Sequence, residues 1–292
     1  MRKSLKKTAA IILTGLMLTN IGAPAFASTD EMMTEDVISV LMDSANLKKN
    51  EQYALVNNAI DLTEVKKYGI IFDDAYEAGD VFVDDEGKLQ VADTLAEKVD
   101  NETFKKFKRD MQTMNYCLEI GAYEFNPITG DFEAVPINEY LANNKDIQGA
   151  APLNARAATL ALGNMVHTNY MEIKTIYQST MAYAPESAWA STVGIWVNRV
   201  KPGGIWDYKS SEDYGAYYGT EYYCTYGLNN SKRGIRTTEF MGNYNYGYTG
   251  RILFSLADLK RASEIVAGAP ELDANDQPII EEGFYDSRSI EG

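Results

Sequence analysis

The chain of 292 residues is 45% hydrophobic and sets 27 lysines and arginines against 42 aspartates and glutamates, a net charge of −15. That is enough apolar material for two modest cores, and an acid balance that repels nucleic acid and anionic surfaces at long range. A single histidine, His167, excludes any two-histidine metal site and obliges every Ser-His-Asp or Cys-His mechanism to use it.

Met1 to Ala27 reads as a secretory signal peptide, residues 1–27. Arg2, Lys3, Lys6 and Lys7 form its cationic start, Ala9 to Leu18 its apolar stretch, and Ala25-Phe26-Ala27 its small-x-small cleavage site. The apolar stretch is short for a bilayer, and Asn20 and Pro24 interrupt it. A secreted, extracellular protein with no stable membrane insertion after cleavage is therefore expected.

Charge divides the remainder. Residues 28–154 hold 11 basic against 26 acidic side chains, and residues 155–292 hold 12 against 16. We expect an acidic N-terminal α+β domain over 28–145, serving delivery or as a pro-region, a linker over 146–154, and a helix-rich α+β domain over 155–292. Cys117 and Cys224 lie one in each. Export permits a disulfide between them, and two buried free thiols fit equally.

In the front half, Ser28-Thr29-Asp30 can cap a helix through Met33, Val37, Ile38, Leu41 and Met42. Val81 to Val83 and Leu89 to Val91 flank an Asp85-Glu86-Gly87 turn and read as a hairpin. Asn101 opens a helix with the stripe Phe104, Phe107, Met111, Met114 and Leu118, leaving Lys105, Lys106, Lys108 and Arg109 mostly on its other face. A second hairpin is expected from Tyr123 to Val135. The acidic pairs Asp73-Asp74 and Asp84-Asp85 lack the positional pattern of a calcium loop and read as solvated turns.

In the rear half, Ala155 to Met181 has the periodicity of a long buried helix, with Leu160, Leu162, Met165, Val166, Tyr170, Ile173 and Ile176 apolar. A lone histidine on such a helix is read first as a structural residue. Glu186 to Val200 is apolar enough for a second buried helix, ending at Pro202. Lys201-Pro202-Gly203-Gly204 must turn, because proline lacks a donor and glycine tolerates positive φ. The turn presents Trp206, Asp207, Tyr208 and Lys209 together. Tyr222 to Tyr226 and Ile235 to Phe240 read as short strands. Gly242, Gly247 and Gly250 punctuate a run of asparagines and tyrosines, after which a helix runs from Arg251 to Ile265 and stops at Gly268-Ala269-Pro270.

Half of the twenty tyrosines fall between Tyr208 and Tyr248, and rings with polar tips suit a binding site. Asp207, beside Trp206 and between Lys201 and Lys209, is the candidate acid or base, and Lys209 and Lys201 set its charge. The bland alternative is an Asp207 that pairs with Lys209 or caps the turn. Glu239 is the second carboxyl, since glycoside hydrolysis needs two with aromatic walls for the sugar. Asn243, Asn245 and Tyr246 can orient a substrate carbonyl or oxyanion. Trp206, Tyr208, Lys201 and Arg251 complete the substrate-binding set. No metal and no cofactor are expected.

The runs Lys201-Pro202-Gly203-Gly204-Ile205-Trp206-Asp207-Tyr208-Lys209 and Gly242-Asn243-Tyr244-Asn245-Tyr246-Gly247-Tyr248-Thr249-Gly250 resemble the bacterial polymorphic toxin type 44 domain. Its members carry a Lys-Pro-Gly-Gly-x-Trp-Asp-Tyr-Lys turn, a Gly-Asn-Phe-Asn-Tyr-Gly-x-x-Gly run leading into a helix, and a short Asp-rich ending. Here Tyr244 replaces the phenylalanine, Tyr248 replaces a small residue, and Tyr285-Asp286-Ser287-Arg288-Ser289-Ile290 stands for the ending. The resemblance covers about Asn154 to Gly292. It implies a toxin that damages a rival or host cell, an exchangeable front half and a cognate immunity protein. The target polymer is left open between peptidoglycan, cut by Asp207 and Glu239, and RNA, gripped by Lys201, Lys209, Arg236 and Arg251. A third reading is a non-catalytic surface binder that keeps the scaffold.

Overall fold

Period-two and period-3.6 patterns account for the first elements of the structure, a computed structural model that describes residues 62–143, 159–208, 221–267 and 274–288. The leader, the helix expected at 28–42, the whole linker, Lys209, the Gly268 stop and Ser289-Ile290 lie outside the described residues. Helix α1 (Leu62–Glu77) precedes the hairpin β1 (Val81–Val83) and β2 (Leu89–Val91), paired Val81 to Val91. The acidic turn between them has an internal use. One Asp84 carboxylate oxygen accepts the N–H groups of Glu86 and Lys88 at 2.9 Å each, and the Lys88 N–H foremost holds that carboxyl below its ordinary range.

Helix α2 (Asn101–Glu119) starts at Asp100, whose carboxylate accepts the Thr103 N–H at 2.9 Å. Its buried stripe is Phe107, Met111, Met114 and Cys117, shifted slightly from the expected one. The hairpin β3 (Tyr123–Asn126) and β4 (Asp131–Ala134) and the short helix α3 (Ile137–Asn143) complete the front.

The rear half begins with the two-residue strand β5 (Thr159–Leu160) and the long helix α4 (Leu162–Tyr183). Leu162, Val166, Tyr170, Ile173 and Ile176 are buried along α4, and it packs against the front-half helices α1 and α2. Helix α5 (Ala188–Val200) is buried nearly all round, as its continuous apolar run requires. Asp110 of α2 accepts hydrogen bonds from Lys106 at 2.7 Å and from Tyr183 of α4 at 2.9 Å, so polar contacts as well as apolar packing join the halves.

Strands β6 (Glu221–Tyr226) and β7 (Lys232–Thr237) form an antiparallel pair, with β5 parallel to β6 on its other edge. Tyr222, Cys224 and Tyr226 point into the protein, while Tyr223 is exposed. Cys117 and Cys224 are both buried free thiols, so no bridge joins them. The architecture is α+β: helices around small sheets, with the tyrosines of β6 against the helices. Among the described residues no helix is long and apolar enough to cross a membrane.

The largest departures lie at the end. Thr238 to Gly250 is a helix, α6, capped by the Thr237 hydroxyl on the Phe240 N–H at 3.2 Å. Thr238, Glu239 and Phe240 are thus its first turn and not strand, and the glycines do not punctuate a loop. A side chain at Gly247 would meet the Ile280 carbonyl at 2.0 Å, and one at Gly250 would meet Leu259 and Trp196. These glycines allow close helix contact, and that packing outweighs their poor helix propensity. Arg251 to Ser255 is a turn, and helix α7 (Leu256–Ala267) starts later than expected, behind a Ser255–Asp258 cap. The chain's ending folds as helix α8 (Gln277–Arg288), laid against α6.

Candidate functional site

At the end of α5 the backbone leaves the helix at Lys201 and turns back at once. Gly203 has φ +75°, open to glycine at little cost. The Gly204 N–H donates to the Lys201 carbonyl at 2.8 Å, and the Trp206 N–H to the Arg199 carbonyl at 2.9 Å. The Asp207 carboxylate accepts the Gly203 N–H at 2.9 Å and is 5% exposed. It caps its own turn. That is the bland alternative of the sequence reading, in which this carboxylate holds the loop shape.

Trp206 and Tyr208 are buried beside it. The Arg199 guanidinium stands 5.0 Å from the Trp206 ring centre, within cation–π range. Tyr208 reaches helix α4, where one Asn169 amide nitrogen donates to the Tyr208 oxygen at 2.8 Å and to the Asn245 carbonyl oxygen of α6 at 2.9 Å. Asn169 is 8% exposed and Asn245 is fully buried. The two glycine-rich runs therefore do meet, through Tyr208 and Asn245 on a third residue from another element. Sequence reasoning missed Asn169. Its signal was a polar residue on the inward side of α4, between Val166 and Ile173.

The helical form of α6 separates residues expected to work side by side. Asn243 and Asn245 are two positions apart, about 200° around the axis. With Asn245 turned to Asn169, Asn243 faces nearly the opposite way. Asn243 and Asn245, expected to orient one substrate group together, thus lie on two separate faces. On the second face Glu239 is half-buried in the first turn, where its charge suits the helix N-terminus. Asn243 follows one turn later, with an amide nitrogen that is buried and has no acceptor among the described residues. Tyr246 donates to the Leu259 carbonyl at 3.2 Å and packs its ring on Trp196. Arg251 lies beyond the helix end, over the Phe284 ring at 5.5 Å. His167 is half-buried on α4, and its Nδ1 has no partner among the described residues.

A third face of α6 meets the chain's ending. The Tyr244 hydroxyl donates to Asp286 of α8 at 2.8 Å and accepts the Gly227 N–H at 3.2 Å. Lys232 of β7 donates to the same Asp286 oxygen at 2.8 Å and to Glu282 at 2.8 Å. Burial first, then the Asp286 charge, pushes the Tyr244 phenol far above its ordinary value, so it stays a neutral donor. For Lys232 burial works downward, but the hydrogen bonds to Asp286 and Glu282 outweigh it and raise its pKa. Arg236 bonds the Tyr226 hydroxyl and stacks over Phe240 at 4.7 Å, which occupies it internally.

Among the described residues no group of three or more histidines, cysteines or carboxylates is placed to hold a metal ion. Comparison with protein-family models, with curated proteins and with solved structures finds no match.

Proposed function

We propose that this chain is an exported, toxin-like effector whose rear half hydrolyses a polymer of a target cell or its wall by carboxylate acid–base chemistry. The observation that carries this reading is convergence on α6. The three stretches that resemble the type 44 toxin domain lie far apart in sequence, and all touch that helix or its partners. The turn reaches it by Tyr208 and Asn169 to Asn245, and the ending reaches it by Asp286 to Tyr244.

The roles within that reading follow from exposure. Asp207, almost fully buried and bonded to its own turn, holds the loop. Glu239 is the acid–base group, on a half-exposed helix face with Asn243 one turn further on. The unpaired Asn243 amide suits a substrate carbonyl or a developing oxyanion. The acidic balance favours a wall polymer over RNA, and a small immunity protein is the partner such an effector requires.

A second reading has its own support. Asp207, Tyr208, Tyr244 and Asn245 all spend polar atoms on internal hydrogen bonds, as expected of a binder that keeps the scaffold without the chemistry. The test uses the secreted chain and Glu239→Gln, incubated with isolated cell walls, RNA and DNA. Falling wall turbidity with the native protein, abolished in a Glu239→Gln variant of unchanged melting temperature, supports the proposal. Shortened nucleic acid transfers the reading to a nuclease. Co-sedimentation with walls without lysis leaves the binder.

A further inference from the structure

We infer that Arg199 is a positioning residue through which the front half holds the Lys201–Tyr208 turn in shape, making the front half a built-in part of the effector. The inference rests on the reading of that turn as part of the working region. Arg199 sits on the last turn of α5 and is 4% exposed. One guanidinium nitrogen donates to the Tyr116 hydroxyl of α2 at 2.6 Å and to Glu172 of α4 at 2.8 Å. The other terminal nitrogen is buried and has no acceptor among the described residues. A buried charge with so few partners takes its orientation from those few.

Of the two, Tyr116 belongs to the front half and Glu172 to the rear. The Glu172 side chain is 40% exposed, so water competes for it. Burial raises the Tyr116 phenol despite the opposing Arg199 charge, which keeps it a neutral hydroxyl with its oxygen available. The Tyr116 ring also lies 5.9 Å from the guanidinium carbon, whose contact with Trp206 is 5.0 Å. Backbone contacts reinforce the link. The Arg199 carbonyl accepts the Trp206 N–H and lies 2.3 Å from where a Gly204 side chain would begin. The turn is thus folded onto Arg199 by main chain and side chain alike, and a front-half hydroxyl aims that side chain. An exchanged front half lacking Tyr116 leaves Arg199 with the more exposed of its two partners.

The test uses the full chain with three substitutions. Tyr116→Phe deletes one oxygen. Arg199→Lys keeps charge but loses the planar fork. Tyr183→Phe is the control, because it removes the shorter of the two hydrogen bonds from α4 to Asp110 and leaves Arg199 untouched. The three tryptophans give three indole N–H signals in a proton–nitrogen correlation spectrum, and Trp206→Phe identifies the relevant one. Tyr116→Phe and Arg199→Lys are expected to shift the Trp206 indole and the Gly203 and Gly204 amides, leaving Trp189 and Trp196 in place, while Tyr183→Phe leaves Trp206 unmoved. A stationary Trp206 signal in Tyr116→Phe overturns the inference, and so does an equal shift of all three indoles. In the wall assay, run well below the melting temperature of either protein, Tyr116→Phe is expected to slow lysis about fivefold, the effect of about 1 kcal/mol. If the native chain lyses nothing, the hydrolase reading falls while the indole spectra still decide the role of Arg199.

Discussion

Adding one methyl group to α6 is expected to have opposite effects at two positions five residues apart. At Gly247 a Cβ would lie 2.0 Å from the Ile280 carbonyl oxygen, where real contacts essentially never fall under 3.0 Å. Helices α6 and α8 must then separate locally by about 1 Å, and a gap of that size forfeits roughly a quarter to a half of each lining contact. Overpacking of this kind costs about 1–3 kcal/mol. The upper end applies because the obstacle is backbone, which cannot rotate away. Against it stands the gain of about 1 kcal/mol for alanine over glycine in a helix interior. Gly247→Ala should therefore lose about 2 kcal/mol, or about 4–8 °C of melting temperature at this chain size. At Gly242 nothing lies within 4 Å of the added atom. There the propensity gain stands alone, so Gly242→Ala should gain about 1 kcal/mol and about 2–4 °C. Urea unfolding followed by circular dichroism measures both. Equal effects of the two substitutions, or a stabilising Gly247→Ala, would refute close backbone packing as the reason for these glycines.

Asn169→Leu removes the donor shared by Tyr208 and Asn245, and should cost about 2 kcal/mol in the same urea titration because it strands a fully buried amide. An unchanged midpoint counts against the network. Asp207→Asn weakens the cap on Gly203 and should cost about 1 kcal/mol, visible as faster exchange of the Gly203 amide. Abolished lysis at full stability would instead return Asp207 to the acid–base role. Stability should also decline in alkali. Burial pushes Cys117 from 9.0 up to about 12 and Cys224 from 9.0 up to about 11, and Tyr140 and Tyr248 from 10.0 up to about 12. The folded chain therefore keeps these protons after the unfolded chain releases them. Their contribution is complete below pH 9.0 and disappears as the pH rises towards 12. Urea midpoints at pH 8, 9.5 and 11 should fall in that order, less steeply between the first two in Cys117→Ala, and a flat profile contradicts the burial of the thiols.

Legibility followed the strength of the local pattern. Val81 to Val91 and Tyr123 to Val135 were readable as hairpins because alternation and turn residues agreed. The apolar stripe of α2 and the continuous run of α5 were readable for the same reason. Gly242 to Gly250 was not, because a glycine has two meanings. It permits a turn, and it permits a neighbour's backbone to come close, and the neighbour here is Ile280, 33 positions beyond Gly247. The site was legible in part. Tyr208 and Asn245 were singled out as substrate contacts, whereas their polar groups close on Asn169. The pairing of Tyr244 with Asp286, 42 positions apart, was not legible at all.

By itself the sequence determined the acid balance, the local helices and hairpins of the front half, the buried helix α5 and the turn at Gly203, since each depends on neighbours within a few residues. Tertiary structure alone decided that α6 is a helix, that Asn243 and Asn245 look away from each other, and that Asp207 serves its own turn. It also decided that Tyr116 reaches Arg199 across 83 positions. These outcomes depend on which backbone or side chain arrives from far along the chain, and contact energies of that kind exceed the small intrinsic preferences that a local pattern expresses.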